Sequence, residues 1–271
     1  MKFDSNLAWK QASSSIAANR EVLLALSGVF FLLPGLAFAL FLPAPEPTPG
    51  QSETQMMAMM QDYYLSALPF LVPMALIQFA GTLALLTLFT DRSRPTVGEA
   101  IKQGVIGIPS YFAAQLLLGV AVGLLGGIAL AIGSVTGVPA VAVLMVTAVV
   151  LGAVYAFIKT SLVAPIIAVE RVLNPLTALQ RSWRLTKGNS VRIGLFYLLL
   201  GIVLFVVMTV IMMIVGLVLA AVAGAETARI AGAVVSSVLG AVMTLYFVAV
   251  IAAIHRQLAG PSPEVASAPF E

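Results

Sequence analysis

The residues with the clearest potential for chemistry are the cations of one short stretch, residues 170–192, which lies between apolar segments. These cations are Arg171, Arg181, Arg184, Lys187 and Arg192. Asn174 is a favourable helix N-cap, Pro175 suits the first helical position and Gly188 suits a helix end. The pattern therefore predicts a helix from about Pro175 to Lys187 whose cations are able to bind phosphate groups.

This predicted helix is amphipathic. Its apolar face holds Leu176, Leu179 and Trp183, and its polar face holds Gln180, Arg181, Arg184 and Lys187. Such a helix is typical of a membrane surface, where tryptophan enters the interface and cations meet lipid phosphates. The predicted residues that bind anionic lipid headgroups are Arg181, Arg184, Lys187, Arg192 and Trp183. An alternative stays open, in which these cations only set topology, because positive charge on the cytoplasmic side is expected of any membrane protein.

Lys159 and Glu170 are the candidate residues for a structural ion pair. They are eleven residues apart, which is three turns on a continuous helix, although Pro165 between them is expected to bend that helix. We expect Lys159 to extend to the inner membrane interface and Glu170 to bind a cation of the basic stretch, either Arg181 or Arg184. Alternatively, Glu170 simply faces water.

The composition places these residues in a membrane protein. Of the 271 residues, 61% are hydrophobic and 9% are charged, and the mean hydropathy is +1.06. A soluble domain carries about 25% charged residues, so a water-soluble globule is excluded. The net charge of +3 favours anionic lipid over nucleic acid, because the cations lie between apolar segments. With no cysteine and a single histidine, His255, we expect neither a metal site nor a cofactor.

The elements that position these residues are six predicted membrane-spanning helices. Five apolar segments lie at about 22–42, 64–90, 105–132, 191–222 and 229–254, and the remaining span follows the turn 133–139 and ends near Lys159. The first segment is interpreted as an uncleaved span, because its apolar run is too long for an ordinary signal peptide. Residues 1–256 are predicted to form one transmembrane domain, and residues 257–271 a disordered cytoplasmic tail.

The distribution of charge predicts the orientation. Of the 14 lysine and arginine residues, only Arg229 lies in the first, third or fifth connecting loop. The positive-inside rule therefore places both termini in the cytoplasm.

Three short stretches resemble one another and predict an internal repeat with units that start near residues 5, 97 and 175. Ala8, Ala100 and Ala178 are each followed by an apolar residue, two long polar residues and a small residue. Each stretch precedes a pair of spans. The predicted fold is therefore all-α, with six transmembrane helices in three hairpins, each preceded by a short interfacial amphipathic helix.

Small residues recur at every fourth position on two spans. The third span has Gly119, Gly123 and Gly127, and the sixth has Gly232, Ser236 and Gly240. Such ridges let helix backbones approach closely in a membrane, so we predict that they pack helices within the chain. A seam between two copies of the chain is the alternative.

No catalytic site is expected from these residues. No Asp, Glu or Arg lies near a predicted membrane midplane, where ion-coupled transporters usually place such groups. One histidine at a helix end and no buried aspartate provide neither a Ser–His pair nor an aspartate pair for intramembrane proteolysis. The chain is therefore expected not to be an enzyme.

The run from Ala164 to Gly188 resembles a known signature. It reads A-P-I-I-A-V-E-R, then N-P-L-T-A-L-Q-R-S-W-R-L-T-K-G after two further residues. This order is similar to that of the membrane domain attached to some bacterial glycerophosphoryl diester phosphodiesterases. The resemblance implies a multi-pass module of the bacterial inner membrane without the catalytic barrel, since the chain ends at residue 271, and it assigns no catalytic residue.

The sequence thus predicts a non-enzymatic membrane module that engages anionic lipid headgroups or a protein partner at its cytoplasmic face. The partner is expected to be another membrane protein or a second copy of the chain. A small transporter or lipid-translocating channel is the alternative, and a polar cavity between the spans would favour it.

Overall fold

A computed structural model describes residues 2–43, 45, 48, 50–90 and 95–260 of the chain. Within these ranges every regular element is a helix, which confirms the all-α prediction. The predicted disordered tail lies outside the described residues from 261 onward. Its first residues are not disordered, because Gln257 and Leu258 belong to the last helix, where the side chain of Gln257 bonds the backbone of Asp4.

The described residues form ten α-helices. They are α1 (Ser5–Ala18), α2 (Arg20–Ser27), α3 (Leu33–Phe41), α4 (Glu53–Thr90), α5 (Val97–Thr136), α6 (Pro139–Thr160), α7 (Val163–Ala168), α8 (Pro175–Leu185), α9 (Ser190–Val222) and α10 (Ala225–Ala259). A π-helical segment, Gly28–Leu32, joins α2 to α3. Six helical stretches are long and apolar enough to cross a membrane, so the chain is a multi-pass membrane protein by length and composition.

One predicted boundary is wrong. The short amphipathic piece at 97–103 is not a separate helix, because it continues without a break into the third span as the first turns of α5. At 40 residues, α5 is about 60 Å long, twice the roughly 30 Å of a bilayer's hydrocarbon core. The helix is therefore longer than a bilayer's hydrocarbon core requires.

The three predicted repeat units begin with the same local structure. Asp4 caps α1 by accepting a hydrogen bond from Leu7 N, at 3.0 Å. Thr96 and Glu99 form a capping box at the start of α5. Asn174 caps α8 by accepting bonds from the backbone nitrogens of its first turn. Each cap lies four residues before the aligned alanine. The three helices therefore begin at equivalent positions of the sequence repeat.

The aligned small residues are all buried. Ala8, Ala100 and Ala178 have no exposed surface, and the small residues four positions later are buried as well, namely Ala12, Gly104 and Ser182. Two small residues four apart lie on one face of a helix and let it approach a neighbour closely.

These three faces pack on different parts of the bundle. The face of α1 packs on α10, the first turns of α5 pack on α4, and α8 packs on α7, α5 and α6. The second and third amphipathic segments thus contact the span that precedes them in the chain, and the first packs on the last span.

The core lies at the end of the bundle that carries these amphipathic helices. Every residue of α7 is buried, and so are residues 248–255 of α10. By contrast, the most apolar parts of α6 and α9 contain no residue that is buried within the described chain. Side-chain packing is therefore concentrated at one end, while large apolar surfaces remain exposed further along the spans.

The predicted glycine ridges do not pack within the described chain. A Cβ added to Gly119, Gly123 or Gly127 would meet no described atom within 4 Å, and the same holds for Gly232 and Gly240. Ser236 is half-buried and bonds its own helix through Ala233 O, at 3.0 Å. Periodicity identifies a face rich in small residues but not what lies opposite it. A seam between two copies stays a prediction for these residues.

Candidate functional site

Glu170 joins three elements through two hydrogen bonds. It lies between α7 and α8, and its Oε2 accepts a bond from Arg181 Nε of α8 at 3.0 Å. Its Oε1 accepts a bond from His255 Nε2 of α10, also at 3.0 Å. The side chain of His255 is only 4% exposed, whereas that of Arg181 is 41% exposed. The predicted pairing of Glu170 with Arg181 is confirmed; these three residues form the Glu170 cluster.

The electrostatics of the Glu170 cluster favour the carboxylate. Burial alone would raise the pKa of Glu170, but the hydrogen bonds and charges of His255 and Arg181 outweigh it and lower that pKa below its ordinary value. Glu170 is therefore held as a carboxylate by hydrogen bonds from two other elements. His255 could not be predicted as a partner of Glu170, because 85 residues separate the two in the sequence.

Lys159 is not placed as predicted. It is 3% exposed, and its Nζ lies 5.3 Å from the ring centroid of Trp183 and 5.6 Å from that of Tyr155. Among the ion pairs of the described residues, none joins Lys159 to Glu170. The prediction assumed a continuous helix, but α6 ends at Thr160 and α7 starts only at Val163. The aromatic rings stabilise the buried cation instead.

Ser182 fixes the break between α6 and α7. Its Oγ donates to Lys159 O at 2.7 Å and accepts a bond from Leu162 N at 3.2 Å, and the side chain is fully buried. These bonds satisfy backbone groups that the end of α6 leaves unpaired. One face of α8 is thereby fastened to the bundle, which fixes the direction of its other side chains.

The opposite face of α8 combines exposed apolar and cationic side chains. Leu176 is 57% exposed and Trp183 is 45% exposed, although one edge of Trp183 contacts Tyr155. Arg184 is exposed too, and so are Lys187 in the turn after α8 and Arg192 in the first turn of α9. Together these five residues, Leu176, Trp183, Arg184, Lys187 and Arg192, form what we call the α8 surface. Two predicted members of this face differ, since Leu179 is half-buried and Arg181 bonds Glu170.

The segment between α8 and α9 connects this surface to the N-terminus of the chain. Gly188 adopts a positive φ of 82°, which a residue with a side chain rarely does, and this lets the chain turn into α9. Asn189 then accepts a hydrogen bond from Phe3 N at its Oδ1, at 2.9 Å. Asp4 and Gln257 bond each other twice, so the start of α1 is also fastened to the end of α10.

Within the described residues, no three His, Cys, Asp or Glu side chains come together in a way that could hold a metal ion. Comparison of the chain with protein-family models, with curated proteins and with solved structures finds no match. The function is therefore inferred from the residues themselves, above all from the α8 surface and the contacts that hold it in place.

Proposed function

We propose that the chain is a non-enzymatic module of the bacterial inner membrane that binds anionic lipid headgroups through the α8 surface. In this proposal the six spans form three hairpins, each preceded by an amphipathic segment at the interface, which for the second hairpin is the first turns of α5, and both termini are cytoplasmic. The observation that carries this proposal is the exposure of Trp183 and Arg184 on an anchored helix, with exposed Lys187 and Arg192 in the turn and the helix that follow it. A membrane-protein partner or a second copy at the same face is the alternative.

The chemistry of the α8 surface suits a lipid interface. Exposed Leu176 and Trp183 gain by entering the apolar boundary of the headgroup layer, where tryptophan is enriched in membrane proteins. Arg184 and Arg192 are able to bind phosphate with two parallel hydrogen bonds each, and Lys187 adds a point charge. At about 1 kcal/mol for each cation near an anionic leaflet, these three contribute roughly 3 kcal/mol.

The resemblance to the phosphodiesterase membrane domain supports a module of this kind. Several residues of the resembling run make the contacts that hold α8. Glu170 bonds Arg181, Ala178 and Ser182 are buried, and Trp183 covers Lys159. A sequence pattern with such a role specifies how the cytoplasmic surface is built and adds no catalytic group. Membership of that family is part of the proposal.

The orientation predicts the result of reporter fusions. A reporter fused after residue 52, or after residue 136 at the end of α5, should report the outer side of the membrane. A fusion after Gly260 should report the cytoplasm and serves as the control. A cytoplasmic signal at 52 or 136 would contradict the proposed topology and, with it, the placement of the α8 surface.

The lipid proposal predicts selective loss of anionic lipid when two cations of the α8 surface are removed. In Arg184→Gln/Lys187→Gln, we expect the phosphatidylglycerol site at the α8 surface to lose up to about 30-fold in affinity, because two charge contacts are lost. Native mass spectrometry of the protein, titrated with phosphatidylglycerol in detergent, measures that affinity. Both residues are exposed and lie outside the Glu170 cluster, so folding should be unaffected.

The matched control is Lys10→Gln/Lys102→Gln. It removes the same charge from exposed positions at equivalent places in the first two repeat units. We expect it to retain phosphatidylglycerol like the wild type. If both double variants bind the lipid equally well and are correctly oriented, the α8 cations only set topology and the proposal is wrong.

A further inference from the structure

A groove separates the start of α1 from the first half of α9. Its wider part has a volume of about 620 Å³ and is lined by Lys2, Phe3, Asp4, Ser5, Arg192, Leu195, Phe196 and Leu199. A narrower part, of about 270 Å³, continues past Trp9 to Val203 and shares Ser5, Phe196 and Leu199 with the first. We call the two parts together the α1–α9 groove.

The α1–α9 groove has a charged mouth and an apolar floor. Lys2 and Arg192 are exposed at the mouth, beside Asp4, whose Oδ1 already accepts a hydrogen bond from Leu7 N. The floor below them consists of apolar side chains of α9, of which Leu199 is 61% exposed. Two cations against one carboxylate leave the mouth positive, so charge complementarity favours an anionic group there.

The length of the groove fits one leaflet of a bilayer. Arg192 and Val203 are eleven residues apart on α9, which is about 16 Å along the helix. The hydrocarbon core of a bilayer is roughly 30 Å thick, so one leaflet takes up about half of it. An acyl chain that follows α9 from a headgroup at Arg192 would therefore reach the depth of Val203 inside the same leaflet.

The walls of the groove are held in place by contacts with neighbouring elements. Phe3 N bonds Asn189, and Trp9 stacks on Tyr246 at 5.9 Å between ring centroids. Within the groove, the ring of Phe3 lies 5.7 Å from that of Phe196 and joins the two walls. Ala8 and Ala12 hold the far side of α1 against α10. A site held open in this way does not need to be formed by its ligand, which lowers the cost of binding.

We propose that the α1–α9 groove binds one anionic glycerophospholipid of the cytoplasmic leaflet. Its phosphate lies between Lys2 and Arg192, and one acyl chain runs along Phe196 and Leu199 toward Val203. This inference rests on the proposed orientation of the chain. It goes beyond headgroup binding by the α8 surface, because the groove also recognises the lipid tail.

The acyl-chain part of the proposal is tested by filling the groove without a change of charge. Leu199→Trp places a large ring in the floor, and Leu198→Trp is the control because Leu198 is equally exposed, at 60%, and does not line the groove. Each protein is stripped of lipid, titrated with phosphatidylglycerol or phosphatidylethanolamine, and examined by native mass spectrometry. We expect Leu199→Trp to weaken the tightest phosphatidylglycerol site about tenfold and Leu198→Trp to leave it unchanged.

The headgroup part is tested with Lys2→Gln, which removes the one cation of the groove mouth that the α8 surface does not share and should weaken the same site about fivefold. Arg184→Gln/Lys187→Gln should retain it, so a failure of the groove and a failure of the α8 surface give different results. Equal retention by wild type and Leu199→Trp would overturn the proposal, and so would equal losses in both tryptophan variants. Preferential binding of phosphatidylethanolamine would overturn the anionic assignment. A lipid-free dimer that Leu199→Trp dissociates would assign the groove to a second copy.

Discussion

Replacing Gly104 with valine is expected to lower the unfolding temperature of the protein by about 10 °C, whereas Gly119→Val should leave it nearly unchanged. A Cβ on Gly104 would lie 2.7 Å from Ala80 O and 3.0 Å from Ala84 N. These are backbone atoms of α4, so the clash is relieved only if the two helices separate. Overpacking of this kind costs about 3 kcal/mol, which corresponds to about 10 °C for a domain of this size.

Gly119 provides a close control for this effect. It lies in the same helix, α5, so both substitutions replace a helical glycine with the same β-branched residue. A Cβ at Gly119 would meet no described atom within 4 Å. Thermal unfolding in detergent measures the difference, and Gly104→Ala should give a smaller loss than Gly104→Val. Equal unfolding temperatures for Gly104→Val and Gly119→Val would contradict the contact between α4 and α5. A loss at Gly119, together with a change in oligomeric state, would support a seam between copies.

The sequence predicted features that depend on neighbours along the chain. The helix expected at Pro175–Lys187 is found at Pro175–Leu185, with Asn174 as its cap. The six spans are found because apolar length alone specifies them. A capping side chain bonds backbone groups two or three residues away, so the residues that determine it are adjacent in the sequence.

Contacts between distant segments could not be predicted in the same way. Nothing near Ser182 in the sequence indicates that its hydroxyl bonds Lys159 O, and nothing near Glu170 indicates His255. The glycine ridges show the same limit. Gly104 touches the backbone of α4, while Gly119 in the same helix faces no described atom. A helical period fixes which residues share a face, but the partner of that face depends on the whole fold.

The internal repeat could be predicted only in part from the sequence. The alignment of Ala8, Ala100 and Ala178 came from a few residues, which any alanine-rich amphipathic helix could provide. Burial of all three adds independent support, as do caps in the same register. Small residues were informative here because each helix must approach a neighbouring span closely, and a larger side chain would hold it away.

Replacing Glu170 with glutamine is expected to destabilise the protein by about 2 kcal/mol. Glutamine has nearly the same shape, but it lacks the negative charge and one of the two carboxylate oxygens that accept hydrogen bonds from Arg181 and His255. Hydrogen bonds to charged groups contribute about 1.5–3 kcal/mol, and the exposure of Arg181 reduces its share through solvent screening. The matched control is Glu226→Gln, which breaks an exposed pair with Arg229 and should have almost no effect on stability.

The stability that Glu170 contributes should depend on pH. Because the pKa of folded Glu170 is lowered below its ordinary value of 4.5, its contribution is complete above that value and is lost as the pH falls through the folded pKa. The difference in stability between wild type and Glu170→Gln should therefore shrink as the pH falls below about 4.5. Thermal unfolding of both proteins in detergent across this range measures it.

The two partners of Glu170 should contribute unequally to the stability of the protein. His255 is almost fully buried, whereas Arg181 is 41% exposed, so His255→Gln should destabilise the protein more than Arg181→Gln does. A double-mutant cycle between Glu170→Gln and each partner substitution separates the two pairings from unrelated effects. Coupling to His255 that exceeds coupling to Arg181 is the expected result, because the buried bond is not screened by water. If Glu170→Gln unfolds at the wild-type temperature, the Glu170 cluster does not hold α8 against α10. In that case the position of the α8 surface would depend on Ser182 and on buried Ala178.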